Sequence, residues 1–331
     1  MERLFFTEDF YRAPTEETGL LTFPHAGTDR YRDGLLKSVD ADLVRRAGLR
    51  MVLDYAFGSA SSIFPGVLGA LGVDVISLNA YLDERRISKT AEEFQRSLTQ
   101  LSNIVRTLGA DLGVLLDTGG EKVFLVDEKG EILAGDLTLA LVSLLVMRTQ
   151  SGGRIVVPVT ASRAVERLAA EHGFTVTRSR GTLRALTEAA LGSDVVLVGE
   201  EKGGLIFPRF QPAFDGMAAV VTILEMMARL DVRLHQLTRA VPETHVVRVE
   251  VPCPDERKGA VMRRLIEATK GDDVELIEGV RLTRGEEWVA AIPDADRACF
   301  HVVAESVDRD RARVLAEEYR ERIDGWRKGT A

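Results

Sequence analysis

The chain has little cysteine, no long uninterrupted apolar run and no excess of basic residues. Its two cysteines, Cys253 and Cys299, are too few for a disulfide framework and too far apart in sequence for a metal-binding pair, so we expect a reduced, cytoplasmic setting. The longest largely apolar stretch, residues 137–147, is about half as long as a membrane crossing requires. The sequence therefore predicts a buried helix there and no membrane partner.

The charge balance argues against a nucleic-acid partner. The formal net charge is −8, and lysine and arginine are scattered among acidic residues instead of forming the concentrated basic face that phosphate backbones require. The histidines are dispersed without an i, i+4 pair, which gives little support to a zinc or catalytic-triad site. They are predicted to have structural or surface roles and are His25, His172, His235, His245 and His301.

Length and periodicity predict several domains. A chain of 331 residues exceeds the size at which one core usually keeps growing. Strands and helices alternate through residues 48–150 and again through residues 151–241, while residues 242–331 are typical of an α+β domain and residues 1–47 are too few for a core of their own. The predicted fold class is α/β: two consecutive α/β domains, each a mixed sheet flanked by helices, followed by a C-terminal α+β domain.

Two long helices and several strands are predicted within this frame. Apolar residues at helical spacing predict helices at residues 91–108 and 216–230. Short apolar runs that stop at turn residues predict strands at residues 50–55, 110–116 and 194–198.

Four stretches, in register, carry a resemblance to a known family. They are residues 52–60 with the later Pro65, residues 110–117 with 126–130 and 135–136, residues 198–204 with 215–217 and Glu225, and residues 292–305. Their order and spacing resemble domains two, three and four of the phosphoglucomutase/phosphomannomutase family of α-D-phosphohexomutases, over roughly residues 49–305. The resemblance implies two mutase-type α/β domains followed by the family's fourth domain.

The second stretch resembles the family's metal loop, in which three alternate aspartates and a phosphoserine hold Mg²⁺. Here the three positions are Asp117, Gly119 and Glu121, and Lys122 takes the place of the family's arginine. The resemblance therefore implies a degenerate metal site at Asp117 and Glu121, with Mg²⁺ binding in doubt. Two interpretations stay open: a residual cation site, or a turn capped by Asp117 with Glu121 and Lys122 solvated.

The third stretch resembles the family's sugar-recognition loop, in which a glutamate and a serine bind adjacent ring hydroxyls. Glu200 keeps the glutamate, while Lys202 takes the position of the serine and Gly204 that of a histidine. The resemblance implies substrate-binding roles for Glu200, Glu201, Lys202 and Lys122. Lys202 has three open interpretations: contact with a phosphate, pairing with Glu201, or a solvated side chain at the mouth of a cleft.

The fourth stretch has the position of the family's phosphate-binding loop, where serine, glycine and threonine surround the dianion. Here Asp294 and Asp296 stand where hydroxyl side chains are expected. A carboxylate repels a phosphate, so Arg297 is the one group in this loop that favours phosphate binding. We expect any ligand to lie between the first two α/β domains.

The family's phosphorylated serine belongs to a first domain, and residues 1–47 resemble only the remnant or linker that leads from such a domain. This stretch and the altered loops most resemble the mutase-like C-terminal part of bacterial mannose-1-phosphate guanylyltransferase fusion proteins. That resemblance implies a truncated chain and an N-terminal nucleotidyltransferase domain, in cis or as a partner. It also implies a homo-oligomeric parent protein.

The function predicted from these resemblances is a sugar-phosphate-binding, regulatory or assembly module of sugar-nucleotide synthesis, with a hexose phosphate or a nucleotide sugar as ligand and no catalytic residue of its own. One alternative is an active phosphohexomutase whose first domain is supplied elsewhere. Another is a structural oligomerisation module that binds no ligand.

Overall fold

Three β-sheets organise the structure, a computed structural model that describes residues 2–23, 26–86 and 88–329. His25 lies outside the described residues. The first two sheets have four strands each and are mixed, and the third has five antiparallel strands.

Three helices precede the first sheet. They are α1 (Glu2–Phe6), α2 (Gly27–Lys37) and α3 (Ala41–Ala47), with a short 3-10 turn at Thr15–Glu17. Leu35 and Val44 are fully buried, and the Tyr31 hydroxyl donates a hydrogen bond of 2.8 Å to the Asp215 carboxylate. Residues 27–47 therefore add their apolar side chains to the core of the units that follow.

The first sheet and its helices occupy the next part of the chain. The elements are β1 (Arg50–Asp54), α4 (Phe64–Ala70), β2 (Asp74–Leu78), α5 (Ala91–Leu108), β3 (Leu112–Leu116), β4 (Val123–Val126) and α6 (Gly135–Thr149), with 3-10 turns at Ser59–Ser62 and Glu84–Arg86. The strand order is β2-β1-β3-β4, with β4 antiparallel to the other three. Strand β3 is apolar along its length because helices or neighbouring chain cover both faces of the sheet.

The second sheet repeats this topology. Its elements are β5 (Arg154–Pro158), α7 (Ala164–His172), β6 (Thr175–Ser179), α8 (Leu183–Ala189), β7 (Val195–Gly199), β8 (Leu205–Ile206), α9 (Gly216–Leu230) and α10 (Leu234–Thr238). The order is β6-β5-β7-β8, and β8 again is the antiparallel fourth strand. The two units thus place corresponding loops after corresponding strands.

A continuous apolar core joins the two units through α6 and α9. Side chains from both sheets, from α2 and α3 and from these two helices belong to the same buried cluster. Residues 138–147 of α6 are all buried, which confirms the prediction of a buried helix at residues 137–147. In the described part of the chain, no helix combines the length and the apolar character that a bilayer crossing needs.

The third sheet belongs to the C-terminal domain. Its elements are β9 (His245–Pro252), α11 (Asp255–Ala268), β10 (Asp273–Glu275), β11 (Val280–Arg284), β12 (Glu287–Pro293), β13 (Cys299–Ser306) and α12 (Arg309–Lys328). The strand order is β10-β11-β12-β13-β9. Helices α11 and α12 cover one face of this sheet, and the other face packs Trp288 and Val303 against Val159 of the second unit.

Buried Glu305 reinforces that contact, because its carboxylate accepts hydrogen bonds of 3.0 Å from the Arg163 amide and from the Trp288 indole. The predicted fold class is confirmed: two α/β units with mixed sheets flanked by helices, followed by a C-terminal domain with an antiparallel sheet.

Candidate functional site

Two loops in corresponding positions of the two α/β units lie side by side. The first loop, residues 117–122, joins β3 to β4, and the second loop, residues 200–204, joins β7 to β8. Lys122 and Gly204 form an antiparallel bridge, and the Val123 amide donates a hydrogen bond of 2.9 Å to the Gly203 carbonyl. The topology therefore brings the predicted metal and sugar loops into direct contact.

The first loop is folded around the carboxylate of Asp117. One oxygen of this side chain, Oδ1, accepts hydrogen bonds from the Glu121 amide at 2.7 Å and the Lys122 amide at 2.9 Å. The Gly120 carbonyl in turn accepts a hydrogen bond of 2.7 Å from the Gly216 amide at the start of α9. The loop is thus held by its own aspartate and by the neighbouring helix.

Residues 117, 119 and 121 of the first loop lie close together, as the ligand positions of a metal loop must. Only two of these residues have side-chain oxygen atoms that could bind a metal ion. A Cβ atom at Gly119 would lie 3.6 Å from Oδ2 of Asp117 and 3.7 Å from Cγ of Glu121. Within the described residues, no third acidic, histidine or cysteine side chain joins these two. Mg²⁺ sites are commonly octahedral and all-oxygen. The oxygen donors of this loop's side chains are the carboxylates of Asp117 and Glu121, and one oxygen of Asp117 accepts two amides.

Lys122 pairs with the glutamate of the second loop. Its Nζ lies 3.1 Å from Oε1 of Glu200, whose side chain is 9% exposed. A Cβ atom at Gly204 would lie 2.8 Å from the same oxygen, so Glu200 packs closely over this glycine. Lys122 is therefore an ion-pair partner and not a freely solvated side chain, whereas Glu121 is exposed.

Glu201 contacts different structural elements from those that Glu200 contacts. Its Oε1 accepts a hydrogen bond of 3.3 Å from the Thr160 hydroxyl and lies 3.8 Å from the Arg248 guanidinium. Its Oε2 is buried and has no hydrogen-bond partner among the described residues. Burial raises the pKa of Glu201 even though Arg248 acts in the opposite direction. Lys202, by contrast, is exposed.

Arg248 of β9 connects the second loop to α6. Its guanidinium donates two hydrogen bonds, of 2.7 and 3.0 Å, to the carboxylate of Asp136. Although burial lowers it, the Asp136 carboxylate raises the pKa of Arg248, so this residue stays charged. The carbonyl of Glu201 also lies against the start of α6, since a Cβ atom at Gly135 would be 1.8 Å from that oxygen.

The sequence did not predict Arg248 and Thr160 as members of this site, and it indicated Asp136 only as part of a stretch that resembles the family. A usable signal existed for Arg248, because side chains of a strand alternate between faces and β9 carries Val246, Arg248 and Glu250 at alternate positions. The sequence alone does not indicate which residues these side chains of β9 contact.

The loop of residues 293–298 is closed by contacts within its own domain. The Arg297 guanidinium lies 2.8 Å from the Glu250 carboxylate and 3.1 Å from that of Asp294. Lys258 donates hydrogen bonds of 2.6 Å to the Asp294 carbonyl and 2.7 Å to the Arg297 carbonyl. Arg297, the one group in this loop predicted to favour phosphate, is thus neutralised by two carboxylates.

A cavity of about 1010 Å³ lies beside the two loops and not between them. It opens between the start of α6, the segment that leads into β9 and the start of α12, and Asp136, Ser162, His245 and Arg313 help to line it. Asp136, the partner of Arg248, helps to line this cavity, whereas residues 117–122 and 200–204 do not.

Comparisons with known proteins match both α/β units. The family models described as phosphoglucomutase/phosphomannomutase α/β/α domain II and domain III match residues 29–130 and 134–245. A relative named probable phosphoglucosamine mutase, from Methanopyrus kandleri, is 32% identical over 85% of this chain and 62% of its own length.

Solved structures show the same fold. A phosphoglucomutase/phosphomannomutase family protein from Burkholderia thailandensis superposes with a TM-score of 0.77 and 18% identity, covering 92% of this chain and 65% of that protein. N-acetylphosphoglucosamine mutase from Aspergillus fumigatus, solved in complex with GlcNAc-6P and magnesium, has a TM-score of 0.63 and 13% identity, with coverage of 88% and 69%. The chain thus spans about two thirds of the length of these proteins.

Proposed function

The chain belongs to the phosphoglucomutase/phosphomannomutase family, and from this premise we propose that it binds a hexose phosphate at the junction of its first and second loops without interconverting hexose phosphates by itself. The proposed role is that of a binding, regulatory or assembly module in sugar-nucleotide synthesis.

The contact between Lys122 and Glu200 is the observation that carries this proposal. A carboxylate accepts hydrogen bonds from sugar hydroxyls, and an ammonium group attracts a phosphate, so the pair presents both chemistries within 3.1 Å. Exposed Lys202 adds a second cation, on the second loop close in sequence to Glu200. Recognition of a small polar ligand usually depends on a few such convergent groups.

We infer the lack of turnover from side chains of the first loop and of residues 293–298. Asp117 and Glu121 form a small oxygen donor set of which one oxygen already closes the turn, which supports weak Mg²⁺ binding at most. Arg297 is held by Asp294 and Glu250, which supports weak phosphate binding at residues 293–298. The relative solved with magnesium suggests which ion to test.

The setting of the module stays a prediction. A nucleotidyltransferase partner, a nucleotide-sugar ligand, a homo-oligomeric parent and a cytoplasmic location rest on the sequence resemblance and composition. The relatives reported above carry mutase names.

A second candidate function is an active phosphohexomutase completed by a further segment or chain. The identity of 32% to a relative with a mutase name favours it, as does the fact that the chain spans 62% of that relative. A third, a structural oligomerisation module, predicts no sugar-phosphate binding.

Calorimetric titration of the full chain tests the proposal. The probes are mannose 6-phosphate, mannose 1-phosphate and glucosamine 6-phosphate, with and without Mg²⁺. We expect saturable binding of at least one probe, weakened about tenfold or more in the Glu200→Gln and Lys202→Ala variants, because each change removes a charged contact. Lys129→Ala is the matched control, since Lys129 is exposed in the turn that follows β4, at the opposite end of that strand from the first loop.

Phosphorus NMR on the same samples separates the rivals. Conversion of mannose 1-phosphate to mannose 6-phosphate, with a hexose bisphosphate and Mg²⁺ present, would show an active mutase and overturn the proposed lack of turnover. Absence of binding by all probes would favour the structural role and overturn the proposed binding.

A further inference from the structure

A cysteine, a histidine and an aspartate come together in the C-terminal domain. Cys299 and His301 are two residues apart on β13, so their side chains lie on the same face of the sheet. Asp294 of the preceding loop reaches this face, and its Oδ2 is 2.7 Å from Nε2 of His301. One ligand atom from each residue lies within 4.8 Å of the others.

The positively charged side chain of Arg297 lies at the edge of this cluster. The exposed guanidinium of Arg297 contacts Oδ2 of Asp294 at 3.1 Å and Oε2 of Glu250 at 2.8 Å, and it approaches Nε2 of His301 to 3.3 Å. Glu250 lies directly opposite His301 in the register of β9 and β13. The positive charge of Arg297 thus balances two carboxylates, next to an imidazole and a thiol.

The structure assigns to Asp294, Cys299 and His301 a binding site for a borderline divalent metal ion such as Zn²⁺, in which Arg297 and the metal ion exclude each other. A thiolate and an imidazole are ligands that Zn²⁺ accepts readily, whereas Mg²⁺ and Ca²⁺ prefer oxygen alone. The site is independent of the proposed sugar-phosphate site.

The geometry requires only small movements. Metal–ligand bonds of about 2.0–2.3 Å place the ligand atoms of a tetrahedral zinc roughly 3.3–3.8 Å apart. Side-chain shifts of about 1 Å bring the three atoms from their present separations to that range. A water molecule or Glu250, once Arg297 has left it, completes the coordination.

Contacts around the cluster hold one ligand in place. Oδ1 of Asp294 accepts hydrogen bonds of 2.9 Å from the amides of Asp296 and Arg297, which leaves Oδ2 directed towards His301. Such outer contacts are typical of metal sites, where they orient the ligating atoms. On binding, the Cys299 thiol releases its proton to solvent, and the neutral imidazole of His301 binds the metal ion through Nε2 and holds its one proton on Nδ1.

Metal titration of the full chain at neutral pH tests this site. After treatment with a chelator, the protein is titrated with Zn²⁺ in competition with a chromophoric chelator and, separately, with Co²⁺. We expect one equivalent to bind, with a thiolate-to-cobalt charge-transfer band in the near ultraviolet. Cys299→Ser removes that band, and His301→Ala weakens Zn²⁺ binding about tenfold to a hundredfold.

Cys253→Ser is the matched control, because Cys253 is the other free cysteine and belongs to the buried core beneath the sheet. It is expected to leave the band and the Zn²⁺ affinity unchanged. Circular dichroism of each variant shows whether it folds.

Arg297→Gln provides the sharper test. If the guanidinium and the metal ion compete for Asp294, this variant binds Zn²⁺ about tenfold more tightly than the parent chain. Unchanged or weaker binding in Arg297→Gln would overturn the exclusion. Absence of a one-to-one complex, or a cobalt band that persists in Cys299→Ser, would overturn the site itself.

Discussion

The first and second loops have the same topological position in their units but use their carboxylates in opposite ways. In the first loop, Asp117 directs one carboxylate oxygen back onto the amides of its own turn. In the second loop, Glu200 and Glu201 direct theirs outwards, to Lys122 in one case and to Thr160 and Arg248 in the other. The Asp117 carboxylate thus closes its own turn, whereas the two glutamates of the second loop bind side chains of other elements.

This difference shows how a repeated α/β topology can give two loops whose carboxylates make different kinds of contact. The partners of the second loop come from the first loop, from Thr160 in the turn after β5, and from Arg248 of β9. A ligand that competes for Glu200 acts on its contact with Lys122, which joins the two units, whereas a change at Asp117 acts on the turn that this residue closes.

The strongest way to break the second loop is to remove its fit against α6. In Gly135→Ala, the added Cβ would lie 1.8 Å from the Glu201 carbonyl, so the backbone must shift. We expect the free energy of unfolding, measured by urea denaturation, to fall by about 2 to 3 kcal/mol.

Gly259→Ala is the control for this change. Gly259 is in helix α11, and a Cβ atom there meets no other atom within 4 Å. Because alanine favours a helix more than glycine does, this variant should gain about 0.5 to 1 kcal/mol. Equal stability of the two variants would show that Gly135 has more space than the structure gives it.

The local contacts of the Asp117 side chain predict a smaller effect on stability at this position. Asp117→Ala removes the acceptor of two amide hydrogen bonds and should lower the free energy of unfolding by about 1 to 2 kcal/mol. Asp117→Asn keeps a side-chain oxygen at this position and should lose less than half as much. A loss in Asp117→Asn equal to that in Asp117→Ala would mean that charge, and not the turn, is what matters.

Much of the fold that frames these loops could be predicted from local sequence signals. The helices at residues 91–108 and 216–230 have the bounds that periodicity predicts, because Thr90 and Asp215 cap their first turns. The two-residue strand β8 was not predicted, since a strand that short leaves no alternating pattern.

The site was harder to predict because its contacts join residues that are distant in sequence. Lys122 and Glu200 were both named, yet no local pattern relates them, and their pairing follows from strand order in two sheets. Dispersed histidines gave no hint of a metal site, although Cys299 and His301 at alternate positions of one strand were the available signal.

The contact between the loops can be measured directly by a double-mutant cycle on Lys122→Met and Glu200→Gln. Lys122 is partly exposed and Glu200 is buried, so we expect a coupling energy of about 0.5 to 1 kcal/mol in urea denaturation at low salt. High salt should reduce it. Additive effects of the two changes would mean that the loops are joined by their backbones alone.

The pH dependence of stability gives the finest distinction between the two loops. Burial raises the pKa of Glu201 above its ordinary value of 4.5, so the unfolded chain loses this proton before the folded chain does. The contribution of Glu201 to stability is therefore fully present below that value and is lost as the pH rises through the raised pKa.

A Glu201→Gln variant cannot ionise and should lack this fall in stability above pH 4.5. Its free energy of unfolding should exceed that of the parent by about 1 kcal/mol at pH 7, because the carboxylate carries a buried oxygen without a partner. Glu121→Gln, the same change at an exposed position of the first loop, is the control for the substitution itself. If Glu201→Gln is instead the less stable protein at pH 7, its ion pair with Arg248 outweighs the cost of burial, and the second loop is held by charge.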